Sequence, residues 1–178
     1  MPNNYTRKVK KYKESHAIKC LDKFIQVGNE RISSLKKVRL NNCELEKPGA
    51  KKISQLLQSK IQVEVLEIAE NSFGNEGIHE IAKGIDAGMP PLLELDLSSN
   101  HIDEKGANKL IKALNSCNIL EKLLLNDNQL NPEGAISLIE NLLPYLPNLK
   151  NLGLAKNFMK DEGCHVLCDY LSVPQCPL

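Results

Sequence analysis

Four residues near the end of this chain, Cys164, His165, Cys168 and Cys176, are of the types that hold soft metal ions. Thiols at i and i+4 share one face of a helix, so Cys164 and Cys168 have the spacing of two zinc ligands. The stretch GNEGIHEIAKG from Gly74 has the glycine density of a phosphate cradle. It lacks the closing Lys-Ser/Thr that reaches phosphate and magnesium, which removes the nucleotide-loop reading. No HExxH pair or GxSxG elbow occurs, and the histidines are scattered as His16, His79, His101 and His165. Nothing marks a Ser/His/Asp set, so no catalytic residue, metal site or cofactor is expected.

Bulk composition narrows the classes further. A formal net charge of +1 argues against a dedicated nucleic-acid binder, and 4% aromatics with no Trp gives no platform for stacking bases. No apolar run approaches the roughly 18 residues of a membrane helix. The opening MPNNYTRKVKKYK has no apolar core of a secretory signal. The six cysteines are therefore expected as reduced thiols in a cytoplasmic compartment.

The elements that must position any site are repeats. Five segments align: LKKVRLNNCEL from Leu35, VEVLEIAENSF from Val63, LLELDLSSNHI from Leu92, LEKLLLNDNQL from Leu120 and LKNLGLAKNFM from Leu149. Their starts lie 28 or 29 residues apart, and the fifteenth position is always glycine: Gly49, Gly77, Gly106, Gly134 and Gly163. Apolar positions four and six share one face of a short strand. The ninth position is Asn71, Asn100, Asn128 and Asn157, with Cys43 in the first copy. An amide there can satisfy the backbone of adjacent turns as a ladder. A helix follows each strand, with one face repeating at i, i+3 and i+7: Ala50, Ile53, Leu57; Ile78, Ile81, Ile85; Ala107, Leu110, Leu114; Ala135, Leu138, Leu142; Cys164, Leu167, Leu171. Cys164 and Cys168 fall in these apolar slots, so both are expected in the core rather than on a metal.

Three regions follow. Residues 1–13, with Arg7, Lys8, Lys10, Lys11 and Lys13, read as a basic flexible tail. Residues 14–34 read as a capping helix and linker, with Ala17, Cys20, Leu21, Phe24 and Ile25 inward and His16 and Asp22 toward water. Residues 35–178 hold the five repeats. Leu178 falls on the first position of a sixth register, which leaves an apolar C-terminal flank expected to meet a partner or a second copy, or to continue into further repeats of a longer array.

With this period, these asparagines and these glycines, Leu35 to Leu178 resembles the leucine-rich repeat in the 28/29-residue class of ribonuclease inhibitor. Cys43 departs from that pattern, as do Phe73 and Met159 where Leu is usual. The resemblance implies an α/β fold: a right-handed solenoid, or horseshoe, with a parallel concave sheet and convex helices. It implies a protein–protein interaction module rather than an enzyme. Relatives of this kind include sensing regions of innate-immune receptors, the Ran GTPase-activating protein and effectors of intracellular bacteria. The short chain and its Lys/Asn/Ile-rich usage point to a secreted effector translocated into a host cytosol. The alternative is a GTPase-activating accessory acting through Asn41, Asn42 or Asn126.

Strand positions two, three and five escape the core in this reading. They are Lys36, Lys37, Arg39; Glu64, Val65, Glu67; Leu93, Glu94, Asp96; Glu121, Lys122, Leu124; and Lys150, Asn151, Gly153. Charge thus runs from basic through acidic to basic. The expected partner-binding residues are Lys37, Arg39, Glu64, Glu67, Leu93, Glu94, Asp96, Lys122 and Leu124, with apolar Leu93 and Leu124 as anchors. Glu67 and Asp96 should sit side by side, an arrangement that costs stability unless something offsets it.

Overall fold

The computed structural model describes residues 16–28, 36–59, 61–174 and 176–178. The basic tail expected over residues 1–13 and the linker over 29–34 lie outside these. Helix α1 (His16–Gly28) precedes five strand-and-helix units: β1 (Lys37–Arg39) with α2 (Glu46–Leu57), β2 (Val65–Glu67) with α3 (Gly74–Gly88), β3 (Glu94–Asp96) with α4 (Glu104–Leu114), β4 (Lys122–Leu124) with α5 (Pro132–Asn141), and β5 (Asn151–Gly153) with α6 (Lys160–Leu171). The strands form one parallel sheet in chain order. Each covers positions three to five of its copy, and the register joins Val38, Leu66, Leu95, Leu123 and Leu152 in one row. No copy slips against its neighbour.

The row at position four and its companions at position six meet the helical stripe to form one core. Leu66, Leu95, Leu123, Ile68, Leu97 and Leu125 are buried against Ile53, Ile81, Leu110 and Leu138. Strands need about 4.8 Å each and helices about 10 Å, so stacked units curve with the sheet on the inside.

Asparagine at position nine ties each turn to the one before it. Asn100 is fully buried. Its Oδ1 accepts from Asn71 N at 3.0 Å and Phe73 N at 3.5 Å in the preceding copy. Its Nδ2 donates to the carbonyls of Ile68, Leu97 and Ser98 at 3.0–3.1 Å. Asn71 makes the equivalent set with Cys43 N and Leu45 N, and Asn128 with Asn100 N and Ile102 N. Asn157 receives Leu130 N. In the first copy, Cys43 packs against the core and its Sγ donates to Asn41 O at 3.3 Å. Among the described residues no buried side-chain polar atom is left without a partner.

The turn carrying that asparagine has a constant conformation. Position eight has positive φ in all five copies: Asn42 (52°), Glu70 (58°), Ser99 (56°), Asp127 (53°) and Lys156 (56°). None is glycine, and a left-handed L-residue costs roughly 1–2 kcal/mol. The asparagine ladder offsets that cost. The glycines at position fifteen serve close approach instead. A Cβ on Gly49 would stand 2.4 Å from Leu45 Cβ, and one on Gly134 would stand 3.0 Å from Glu104 Cα of the neighbouring copy. These residues lie inside the first turn of the helix, not at a junction loop before it.

Three expectations need correction. Cys164 and Cys168 are exposed, not in the core. In earlier copies the equivalent residue is covered by the next unit; the Cβ position of Gly77 falls 3.3 Å from Ala50 Cβ, and that of Gly163 falls 3.3 Å from Ala135 Cβ. No described residue plays that part for Cys164, and Leu171 is likewise exposed. Val65, expected on the open face, is 3% exposed. It sits in register between Lys37 and Glu94 of the adjacent strands. On α1 the core residues are Ile18, Leu21 and Ile25, while Cys20 is exposed. Leu21 and Ile25 thus pack inward as expected, Cys20 does not, and Ile18 joins them; the side chains of Ala17 and Phe24 lie outside the described ones. Asp22 does not simply face water, since its carboxylate meets Lys52 Nζ of α2 at 2.5 Å.

Candidate functional site

The open face of the sheet gathers the expected partner-binding residues, because parallel in-register strands put equal positions side by side. One row reads Lys37, Val65, Glu94, Lys122, Asn151, and the next reads Arg39, Glu67, Asp96, Leu124, Gly153. Position two adds Lys36, Glu64, Leu93, Glu121 and Lys150 at the lower rim.

The acidic centre is not bare. Glu64 Oε1 pairs with Lys36 Nζ at 2.6 Å, Glu67 Oε2 with Arg39 Nε at 3.0 Å, and Glu94 Oε2 with Lys122 Nζ at 3.4 Å. Glu121 pairs with Lys150 in the same way at 3.1 Å. Each pair joins one copy to the next, so the charges form a registered ladder. This arrangement offsets the like-charge cost expected between Glu67 and Asp96. Lys36, Glu121 and Lys150 were missing from the expected site. Their signal was present as an opposite charge 28 or 29 residues away.

Asp96 is different. Its Oδ1 accepts from Ser98 N at 3.0 Å, and it has no cation among the described residues. Beside it, Leu124 is half-buried and leans over Gly153; a Cβ on that glycine would lie 2.9 Å from Leu124 Cδ2. Leu93 is also half-buried, at the lower rim. Lys37 and Arg39 are exposed at the β1 edge.

The polar rim above the strands is committed to structure. Asn41 Oδ1 accepts from Ala69 N at 2.8 Å, and Asn126 Oδ1 accepts from Ala155 N at 3.0 Å. Two of the three asparagines proposed for a GTPase-accessory role are thereby held by neighbouring turns. No group of three or more His, Cys, Asp or Glu side chains among the described residues has metal-site geometry. All six cysteines are free, and burial pushes the Cys117 thiol up to about 11. No described helix is long and apolar enough to cross a membrane.

A leucine-rich repeat family model matches residues 88–110 and 116–138. This chain is a leucine-rich repeat solenoid. Mouse ribonuclease inhibitor is 33% identical over 149 residues, covering 82% of this chain and 32% of the inhibitor. The pig ribonuclease inhibitor is 31% identical over 147 residues, covering 82% and 32%. The solenoid therefore spans about a third of the length of these relatives. Among solved structures, leiomodin-1 actin-binding site 2 superposes with a TM-score of 0.68 at 19% identity, covering 85% of this chain and 87% of that one. The C-terminal domain of Caenorhabditis elegans tropomodulin gives 0.65 at 15% identity, with 84% and 89% covered. At those identities the likeness concerns the fold alone.

Proposed function

We propose that the solenoid is a protein-binding module whose concave sheet face receives a partner protein. The observation that carries this is the face itself: two half-buried leucines, Leu93 and Leu124, stand among charges that are already paired in register, with Asp96 left unpaired beside Leu124. Paired charges hold their geometry for a visitor, and an apolar residue at their centre supplies the desolvated contact on which binding energy concentrates. Ribonuclease inhibitor, by its name, acts on another protein, which supports the same mode here. The site residues remain Lys37, Arg39, Glu64, Glu67, Leu93, Glu94, Asp96, Lys122 and Leu124. We place the module in a reducing, cytoplasmic setting, in keeping with six free cysteines.

The narrower expectation of a bacterial effector in a host cytosol has no counterpart among the curated relatives named above, which come from mouse and pig. The test is capture of partners from a eukaryotic lysate by the wild type beside a Glu67→Lys/Asp96→Lys double variant. Partners lost in the double variant and in Leu124→Ala, with folding retained, support the reading. Equal capture by all three removes the concave face as the site. Pairing of two copies through the apolar C-terminal flank is judged in parallel by sedimentation. A concentration-independent monomer eliminates it.

A further inference from the structure

We propose that the outer edge of β1 takes an extended acidic segment of a partner protein, which adds to the sheet as a further parallel strand and seats one apolar side chain between α1 and β1. In a parallel sheet, alternate residues of a strand bond to opposite sides. Lys36 O receives Glu64 N and Val65 N, and Leu40 N donates to Glu67 O, all toward β2. The backbone groups of Lys37 and Arg39 point the other way, and no hydrogen-bond partner for them occurs among the described residues. An unpaired edge of this kind is a template for strand addition.

Behind that edge lies an apolar cleft of about 170 Å³, lined by Leu21 of α1, Val38 and Leu40 of the β1 segment, and Leu56 of α2. That is the scale of the roughly 150 Å³ apolar cavities that take benzene, and hence of one aliphatic side chain. The exposed thiol of Cys20 stands at its lip.

Charge selects the occupant. Lys37 is exposed and has no ion pair among the described residues, and exposed Arg39 meets Glu67 Oε2 through Nε at 3.0 Å. The chain also displays what pairs with β1. On the inner edge, Glu64 and Glu67 of the β2 segment flank Leu66 and meet Lys36 and Arg39. A visitor with carboxylates around an apolar residue repeats that match on the outer edge. The chain's own leader, with Arg7, Lys8, Lys10, Lys11 and Lys13, has the wrong sign. The edge of β5, Asn151–Gly153, carries no carboxylate.

The test uses the full chain and an acetylated, amidated peptide VEVLEI, copied from residues 63–68. Maleimide labelling is followed at each cysteine by mass spectrometry. Saturating peptide is expected to slow labelling of Cys20 by about fivefold or more, while exposed Cys164 and Cys168 serve as internal controls. Lys37→Glu is expected to raise the peptide concentration needed by about tenfold, an ordinary loss for one charge contact. The peptide VKVLKI, and VEVLEI with its ladder amides N-methylated, are expected to give no protection. Unchanged Cys20 labelling with VEVLEI overturns the proposal. Equal protection by VKVLKI or by the N-methylated peptide overturns it also. Deleting residues 1–13 is expected to leave basal Cys20 labelling unchanged; a rise would show that the chain's own leader holds the slot and would overturn the partner assignment. The two readings share Lys37 and Arg39, but Asp96 belongs to the concave face alone, so Asp96→Lys tests that face and is expected to leave Cys20 protection intact.

Discussion

Asn100→Ala is the perturbation that probes the scaffold most directly. The side chain is fully buried and makes five hydrogen bonds to backbone groups in two copies. Its loss does not orphan all five groups. Ile68 O keeps Asn71 Nδ2, Leu97 O keeps Asn128 Nδ2, and Ser98 O keeps Glu70 N. Asn71 N loses its acceptor altogether, and Phe73 N loses a long one. A buried orphan donor costs about 1–3 kcal/mol, and each weakened carbonyl costs a fraction of a further kcal/mol. The sum is about 3–4 kcal/mol, a large part of the roughly 5–15 kcal/mol that holds a typical domain. Asn157→Ala should cost about half as much, because Asn157 is half-buried and accepts from Leu130 N alone. Urea unfolding followed by circular dichroism measures both, and amide exchange at Asn71 shows whether the loss is local. If Asn100→Ala lowers stability by less than about 1 kcal/mol, or if the two variants cost the same, the ladder is not what unites the turns.

Further outcomes follow from the same coordinates. Gly49→Ala should destabilise by about 1–3 kcal/mol, since the new Cβ meets Leu45 Cβ at 2.4 Å and Leu45 is itself fully buried. Gly74→Ala, with φ of +57° and open space around it, should cost about 1 kcal/mol through backbone alone; thermal melts rank the two. Asp103 caps α4, its Oδ1 accepting from Lys105 N at 2.7 Å. Burial pushes its carboxyl up, but Asn75 and the Lys105 and Gly106 amides together outweigh this and hold it below 3.8. A depressed carboxyl stabilises the fold above its unfolded value, and that contribution is lost as pH falls through the folded one. Acid titration of stability should therefore be steeper for the wild type below pH 3.8 than for Asp103→Asn, which keeps a capping oxygen. Cys117, buried with its thiol pushed up to about 11, should resist maleimide in the native chain while Cys20, Cys164 and Cys168 react; unfolding should equalise them.

Much of the architecture was legible before any coordinates. The period, the glycines and Asn71, Asn100, Asn128 and Asn157 report constraints that recur in every unit, so each copy repeats the message of the others. What could not be read depends on neighbours outside the unit. Val65 looks like an open-face residue by position, yet it is buried in the stacked sheet, in register between Lys37 and Glu94. Cys164 looks like a core residue by position, yet no described residue covers it as Gly77 covers Ala50. The acidic patch reads as like charges side by side, because position alone does not say which way each long side chain turns to find a partner. Lys36–Glu64 and Arg39–Glu67 close only when copies are stacked. The left-handed turn at position eight carries no residue signature, since five different side chains occupy it.

That last feature bears on how such a protein changes over generations. The turn at position eight keeps its shape whichever of Asn, Glu, Ser, Asp or Lys is present, because the residue that follows is tied into the asparagine ladder, by its own amide in four copies and through Cys43 N to Asn71 Oδ1 in the first. Identity at these five points is thereby uncoupled from foldability. They form a row of interchangeable letters along the lip of the horseshoe, where selection can redraft affinity for one visitor or another while the chassis beneath stays untouched.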